Sequence, residues 1–443
     1  MRIQLSEHFT YRKLLRFVFP SIVMMVFTSI YGVVDGLFVS NFASKTAFAA
    51  INLIMPYLML FGALGFMIGT GGSAYISKTL GEKDKDRANR IFSMLLLVTV
   101  AGGIVLTVIG VLFLRPVASF MGAKGQLFDD CVTYGTILLL FTAAFMLQNV
   151  FQSFFVTAEK PKLGLFFTVL AGCTNIVLDA LFVAVFQFGL VGAAVATVIS
   201  QSIGGFLPLL YFARKNTSLL RIVRPVFDGR ALFRVLTNGS SELATNLSMS
   251  LVNMCYNLQL MNYAGQDGVA AFGVLMYVNF IFISLYIGYS IGVAPIVGYH
   301  YGAQNHAELR NLLKKSFLLL LLSGAFLTGL AELLASPLSF VFVGYDAALY
   351  RMTELGFRIY SLSFLFAGFN IFGSGFFTAL SNGPVSAAIS FLRTLIFQLA
   401  MVFLLPFFFG IDGIWWSLVA AEVLAIFVFF VFLAAKRRTY RYY

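Results

Sequence analysis

Charge is what this chain has least of. Only 11% of its 443 residues are Asp, Glu, Lys or Arg, while 60% are hydrophobic, and the mean hydropathy is +0.91. No water-soluble globule of this size has that composition, so the protein is an integral membrane protein that crosses the bilayer repeatedly. Histidine is scarce too. His8, His300 and His306 are the only three, none is placed mid-span beside an acid, and neither an HExxH run nor a nucleophile elbow occurs, which argues against a polytopic enzyme. The three cysteines, Cys131, Cys173 and Cys255, lie in or beside apolar runs without CxxC spacing and read as packing residues. A GxxxxGK[ST] loop is missing, so ATP is not the expected energy source and no cofactor is expected. The small-residue runs Gly62 to Gly72 and Gly288 to Gly292 read instead as close helix packing.

What is present is a series of apolar runs, each able to cross ~30 Å of hydrocarbon at about 1.5 Å per residue. Twelve are expected, near 14–41, 49–77, 91–114, 131–157, 163–187, 189–212, 235–263, 270–300, 314–338, 351–380, 384–408 and 410–435. The fold class is an all-α membrane protein. The first run is too long for a signal peptide core, so it is read as a retained helix. With both termini placed in the cytoplasm, Lys and Arg number 24 at the inner segments and 5 at the outer ones. That positive-inside bias predicts a multi-pass protein of the plasma (inner) membrane with both ends cytoplasmic. The formal charge of +12 is then topology signal and contact with anionic membrane lipids. Basic residues scattered over many short loops disfavour nucleic acid as a partner, and a monomer is expected.

A shift of 221 residues aligns Asn41 with Asn262, Gly71 with Gly292, Gly81 with Gly302, Pro116 with Pro337, Gly189 with Gly410 and Gly192 with Gly413. The chain therefore reads as two homologous halves: an N-terminal six-helix lobe over 1–213, a basic linker over 214–234 and a C-terminal six-helix lobe over 235–443. Six spans per half make the repeat parallel, with a cleft between the two bundles.

One carboxylate stands out. Asp35 lies inside the apolar span from Pro20 to Asn41, where a charged side chain costs at least ~2.5–3.5 kcal/mol and needs a wet cavity or a partner. Thr28, Tyr31 and Asp35 share a stripe on the first helix. Pro20, inside the same span, permits a kink, static or linked to protonation.

Four stretches in order, FPSIVMMVFTSIYGVVDGLFVS, TGGSAYISKTLGEKDKDRANR, NIVLDALF and GIDGIWWSLVAAE, resemble the multidrug and toxic compound extrusion (MATE) family on its DinF-like bacterial side, over essentially the whole chain. The resemblance implies a secondary antiporter that expels small cationic, amphipathic compounds in exchange for H⁺ or Na⁺, and so contributes to antibiotic resistance. It also implies a proline-bent first helix with Pro20 as hinge, and an ion-coupling site at Asp35, Asn175, Asp179 and Thr197. Independently, Asp35, Asp179 and Thr197 fall at similar depth in the outer leaflet, and Asn175 and Asp179, four apart, share one helix face. Two nearby carboxyls can bind a proton, or with Asn175 and Thr197 can form an oxygen cluster suited to Na⁺.

The halves are chemically unequal. Under the 221-residue shift Asp35 aligns with Tyr256 and Asp179 with Ala400, so ion coupling is expected in one lobe. The other lobe offers a polar stripe, Glu242, Asn246, Ser250, Asn253 and Asn257, for the cleft or for helix packing. Glu422 is the remaining deep acid, open either to a cleft role or to a pair with Arg393. Tyr31 joins the cleft candidates, and Met24, Met25, Met55, Met59, Phe27, Tyr57, Phe61, Tyr277 and Phe280 offer adaptable surfaces for hydrophobic cations. A lipid or lipid-linked oligosaccharide flippase of the same superfamily is the alternative, although an anionic substrate favours a basic cleft and the deep charges here are mainly acidic.

Overall fold

The computed structural model describes residues 3–442. Among them, nine helices are each long and apolar enough to cross a bilayer, and two more crossings are helix pairs bent at a short break. One of the nine, Gly229–Gly302, is two helices merged across Gly265, whose φ of 62° and ψ of −147° are non-helical and open to glycine. Counted so, the chain crosses twelve times, as the hydropathy predicts.

We number the crossings α1 (Tyr11–Phe42), α2 (Lys45–Gly81), α3 (Lys85–Phe120), α4 (Gln126–Leu140 with Thr142–Thr157), α5 (Pro161–Asp179 with the wide turn Ala180–Val185) and α6 (Gly189–Ala213). The second half holds α7 (229–264), α8 (266–302), α9 (His306–Val343), α10 (Ala347–Ser361 with Phe364–Ala379), α11 (383–409, itself interrupted) and α12 (Ile411–Tyr440). Polar residues start many of them. Thr10, Ser44, Asp84, Asp228, Asn305, Asp346 and Asn382 each accept a backbone N–H of the first turn. The Asp228 cap starts α7 at Gly229, so the end of the stretch 214–234 read as linker is helical. Ahead of it the chain runs along α3, where the Arg221 amide donates to Asn89 Oδ1 at 2.9 Å and the Val223 amide to Ser93 Oγ at 2.8 Å.

The repeat is visible in three dimensions. The bent crossings α4 and α10 start 221 residues apart and bend by 59° and 48°. Gly189 and Gly410, paired in the sequence register, both take positive φ, 54° and 57°, ahead of α6 and α12.

The two halves meet chiefly through α2 and α1 against α7 and α8, at the end that carries the termini. A Cβ on Gly81 would strike the Tyr299 carbonyl, and one on Gly302 would strike the Lys78 carbonyl. These are one contact made twice, since 78 and 299, like 81 and 302, are one repeat apart. Gly71 and Gly239 form a second such approach, and Gly288 and Gly292 admit α1 at Ser21 to Ile22 and at Val18. Small residues are what lets membrane helices approach this closely. The Ser29 hydroxyl donates to Ser284 Oγ at 3.2 Å. Further toward the opposite end, Gly32, Met59, Asn257, Tyr277 and Phe280 are exposed.

A short segment ahead of α1 ties the halves together at the terminus-bearing end. The Leu5 amide donates to Glu159 Oε1 at 2.8 Å in the first half. The Phe9 amide donates to Glu308 Oε1 at 2.9 Å in the second half, and His8 Nδ1 meets Glu308 Oε2 at 2.6 Å. Asn311 and Lys315 both donate to the Phe9 carbonyl. Leu5 and Phe9 are fully buried.

Candidate functional site: a buried acid pair in the first half

The first-half site is built by the packing of α1 on α5. Gly172 lacks a side chain where the Phe27 and Tyr31 rings cross α5; a Cβ there would come within 2.5 Å of Phe27. Continuing along both helices from that contact brings the carboxyl of Asp35 beside that of Asp179. Asp179 is completely buried and closes the regular part of α5, immediately before the wide π-helical turn Ala180–Val185. Such widened turns are frequent at functional sites. Neither oxygen of Asp179, nor Oδ1 of Asp35, has a hydrogen-bond donor among the described residues. An ionised carboxylate is acceptor-only, so two of them side by side offer nothing to each other.

Around the pair stand groups that sequence reasoning partly missed. Tyr134, on α4, is 1% exposed, faces both carboxyls and lies beside Thr197 of α6. Thr197 donates its own proton to the Ala193 carbonyl at 3.0 Å, which leaves its oxygen lone pairs as acceptors. Gln148, also on α4 and 6% exposed, lies against the Tyr31 phenol. Asn175 is buried one turn from Asp179 on the same helix face. Tyr134 and Gln148 gave no signal in the sequence: each is an uncharged residue in an apolar run, and only the fold aims it at an acid. Tyr31, a cleft candidate, is half-buried, with its ring against Gly172 of α5. Pro20 sits within a helix that runs without a break from Tyr11 to Phe42.

Among the described residues the second half has no such pair. Tyr256, the counterpart of Asp35, stacks on Phe272 with a centroid separation of 5.1 Å and accepts from the Ser417 hydroxyl at 2.8 Å. Glu422, 2% exposed, receives Arg393 Nη2 at 2.7 Å, Arg393 Nε at 2.9 Å and Asn370 Nδ2 at 2.6 Å. Its charge is matched inside the bundle, so it offers no free oxygen to a solute in a cleft. On α7, Asn246 donates to the Glu242 carbonyl at 2.8 Å, while Ser250, Asn253 and Asn257 are exposed. Of the apolar candidates, Met24, Met25 and Phe61 are buried in helix packing, whereas Met59, Tyr277 and Phe280 are exposed. Tyr57 donates to the Gly110 carbonyl at 2.8 Å, a bond within the first half.

Comparison with known proteins gives this geometry a context. The MatE family model matches twice, over residues 20–181 and 243–404. The chain is 24% identical over 421 residues to "Multidrug export protein MepA" of Staphylococcus saprophyticus, covering 94% of this chain and 91% of that protein. It is 22% identical over 426 residues to the protein of the same name from Staphylococcus aureus, with the same coverage. Its fold matches a solved structure described as the outward-facing conformation of a multidrug resistance MATE family transporter of the MOP superfamily, with a TM-score of 0.93, 22% identity, and coverage of 98% of this chain and 97% of that one.

Proposed function

The chain belongs to the MatE family, and from that premise we propose that it is a secondary active multidrug exporter of the bacterial cell membrane, driven by exchange of H⁺ or Na⁺ at the acid pair of its first half. It is a transporter and not an enzyme. The observation that carries the coupling is the apposition of Asp35 and Asp179 with no donor, among the described residues, for three of their four oxygens. Two buried acceptor-only groups require a cation between them. A proton turns one carboxyl into a donor to the other. A sodium ion would take the same oxygens together with the carbonyl of Asn175 and the hydroxyl of Thr197, a donor set of hard oxygens. A cationic drug entering the cleft competes for the same negative charge, which is the minimum that antiport requires.

Alternating access follows from the two-half design. The halves are locked by the glycine contacts at the terminus-bearing end, which we take as the cytoplasmic side from the charge bias, with both termini there. Drug entry from the cytoplasm then needs those contacts to open, with the lobes divided in the region of 214–234 rocking about each other. The polar face of α7, from Glu242 through Asn246, Asn253 and Asn257, is the surface that a cationic solute meets opposite the acids.

Ethidium efflux from proteoliposomes under an imposed proton or sodium gradient tests the reading. Efflux should follow one of the two gradients, and Asp35→Asn and Asp179→Asn should each abolish it while the protein remains folded. Near-normal efflux in both variants removes this site from the mechanism.

A further inference from the structure

A crevice of about 470 Å³ lies at the terminus-bearing end, between the first turns of α1 and α5. It exists because α1 serves two neighbours. Near Phe27 and Tyr31 it packs on α5 at Gly172, but nearer its start Val18, Ser21 and Ile22 lean on α8 at Gly292 and Gly288. The two first-half helices therefore diverge, and the gap opens sideways.

The lining is amphipathic. Arg16 from α1 and Lys160 and Lys162 from the turn into α5 supply three cations. Lys160 Nζ is steadied by the Thr217 hydroxyl at 3.0 Å. Arg16 and Lys162 are exposed, and neither pairs with a carboxylate among the described residues. The one acid in the lining, Glu159, accepts the Leu5 amide through Oε1. Helix α5 begins without a side-chain cap, so its positive end adds to the field. Leu163 lines the apolar side of the crevice with Phe166, whose ring is 57% exposed.

Cations at the depth of the headgroups, directly beside rings at the depth of the acyl chains, select a ligand with a phosphate and a hydrocarbon tail. We propose that this crevice binds an anionic phospholipid of the leaflet at the terminus-bearing face, its phosphate on Arg16, Lys160 and Lys162 and an acyl chain along Leu163 and Phe166. Because Arg16 travels with α1 and the two lysines with α5, the lipid closes the gap between α1 and its own lobe while α1 stays docked on α8. The crevice lies at the opposite end of α1 from the acid pair of Asp35 and Asp179.

Native mass spectrometry of the full-length protein in micelles, with phosphatidylglycerol and phosphatidylcholine of equal chain length, tests this directly. Phosphatidylglycerol should be retained over phosphatidylcholine by roughly tenfold or more, as expected for about three basic contacts. The variant Arg16→Gln, Lys160→Gln, Lys162→Gln should lose that preference, whereas Lys436→Gln, Arg437→Gln, Arg438→Gln, with the same charge removed at the end of α12, should keep it. If the triple crevice variant fails to fold, Lys162→Gln alone, at an exposed position, should weaken the preference severalfold. Equal retention of the two lipids, or equal loss in the crevice and α12 variants, overturns the proposal. Displacement of phosphatidylglycerol by inorganic phosphate overturns the lipid assignment in favour of a free anion.

Discussion

The ion pair of Arg393 and Glu422 should show strong, non-additive energetics. Substituting Met for Arg393 leaves a carboxylate that is 2% exposed with a single remaining side-chain donor, Asn370. Substituting Met for Glu422 strands a guanidinium that is 14% exposed. Removing one partner of a buried pair costs about 3–5 kcal/mol, because the survivor stays charged and unpaired. Removing both removes the uncompensated charge, and what remains is the loss of the Asn370 bond, about 1.5–3 kcal/mol for a charged acceptor, partly offset by the apolar replacements. The double variant should thus be more stable than either single one, with a coupling energy of several kcal/mol. Unfolding by SDS titration in mixed micelles, followed by tryptophan fluorescence, reads this well. The chain has only two tryptophans, and Trp415 is buried two turns from Glu422 on α12. Simple additivity of the two single effects would refute the argument. A stable double variant that no longer exports ethidium would instead overturn the structural reading of Glu422 and make it part of the transport path.

Two further predictions concern the closed end. Gly81→Val and Gly302→Val each place side-chain atoms where a carbonyl of the other half lies, and overpacking of this kind costs about 1–3 kcal/mol; each should bias the halves apart there, seen as roughly ten- to a hundredfold faster labelling of a cysteine placed at Ser77, and unchanged labelling would refute the steric argument. At Glu308 the carboxylate is held by the Phe9 amide, His8 and Asn311. Glu308→Gln should release the segment around His8 at pH 7, with cleavage ahead of α1 by a protease about ten- to a hundredfold faster.

The parts of this molecule that a sequence discloses are those written in one dimension. Span length, the charge asymmetry of the loops and the 221-residue register each need only counting, and α4 with α10, or Gly189 with Gly410, carry the register into matching bends and matching positive φ angles. Asp35 and Asp179 were readable because a charge in hydrocarbon is rare. Tyr134 and Gln148 were not, because a phenol or an amide among 51 Phe and 19 Tyr residues has no contrast until the helices are placed. The bond of Glu422 to Asn370 spans 52 residues of chain and depends on two helices meeting at one height. The segment before α1 is mixed and polar in sequence, and its grip on both halves appears only when Glu159 and Glu308 are seen on either side of it.

That grip has a practical side. A bulky reporter or affinity tag fused ahead of Leu5 would sit where the chain threads between the two halves, and would compete with the contacts to Glu159 and Glu308. Measurements of conformational balance made on such a fusion would report on the tag as well as on the transporter. Tagging after the last turn of α12, where Arg437 and Arg438 already face outward, leaves the segment untouched.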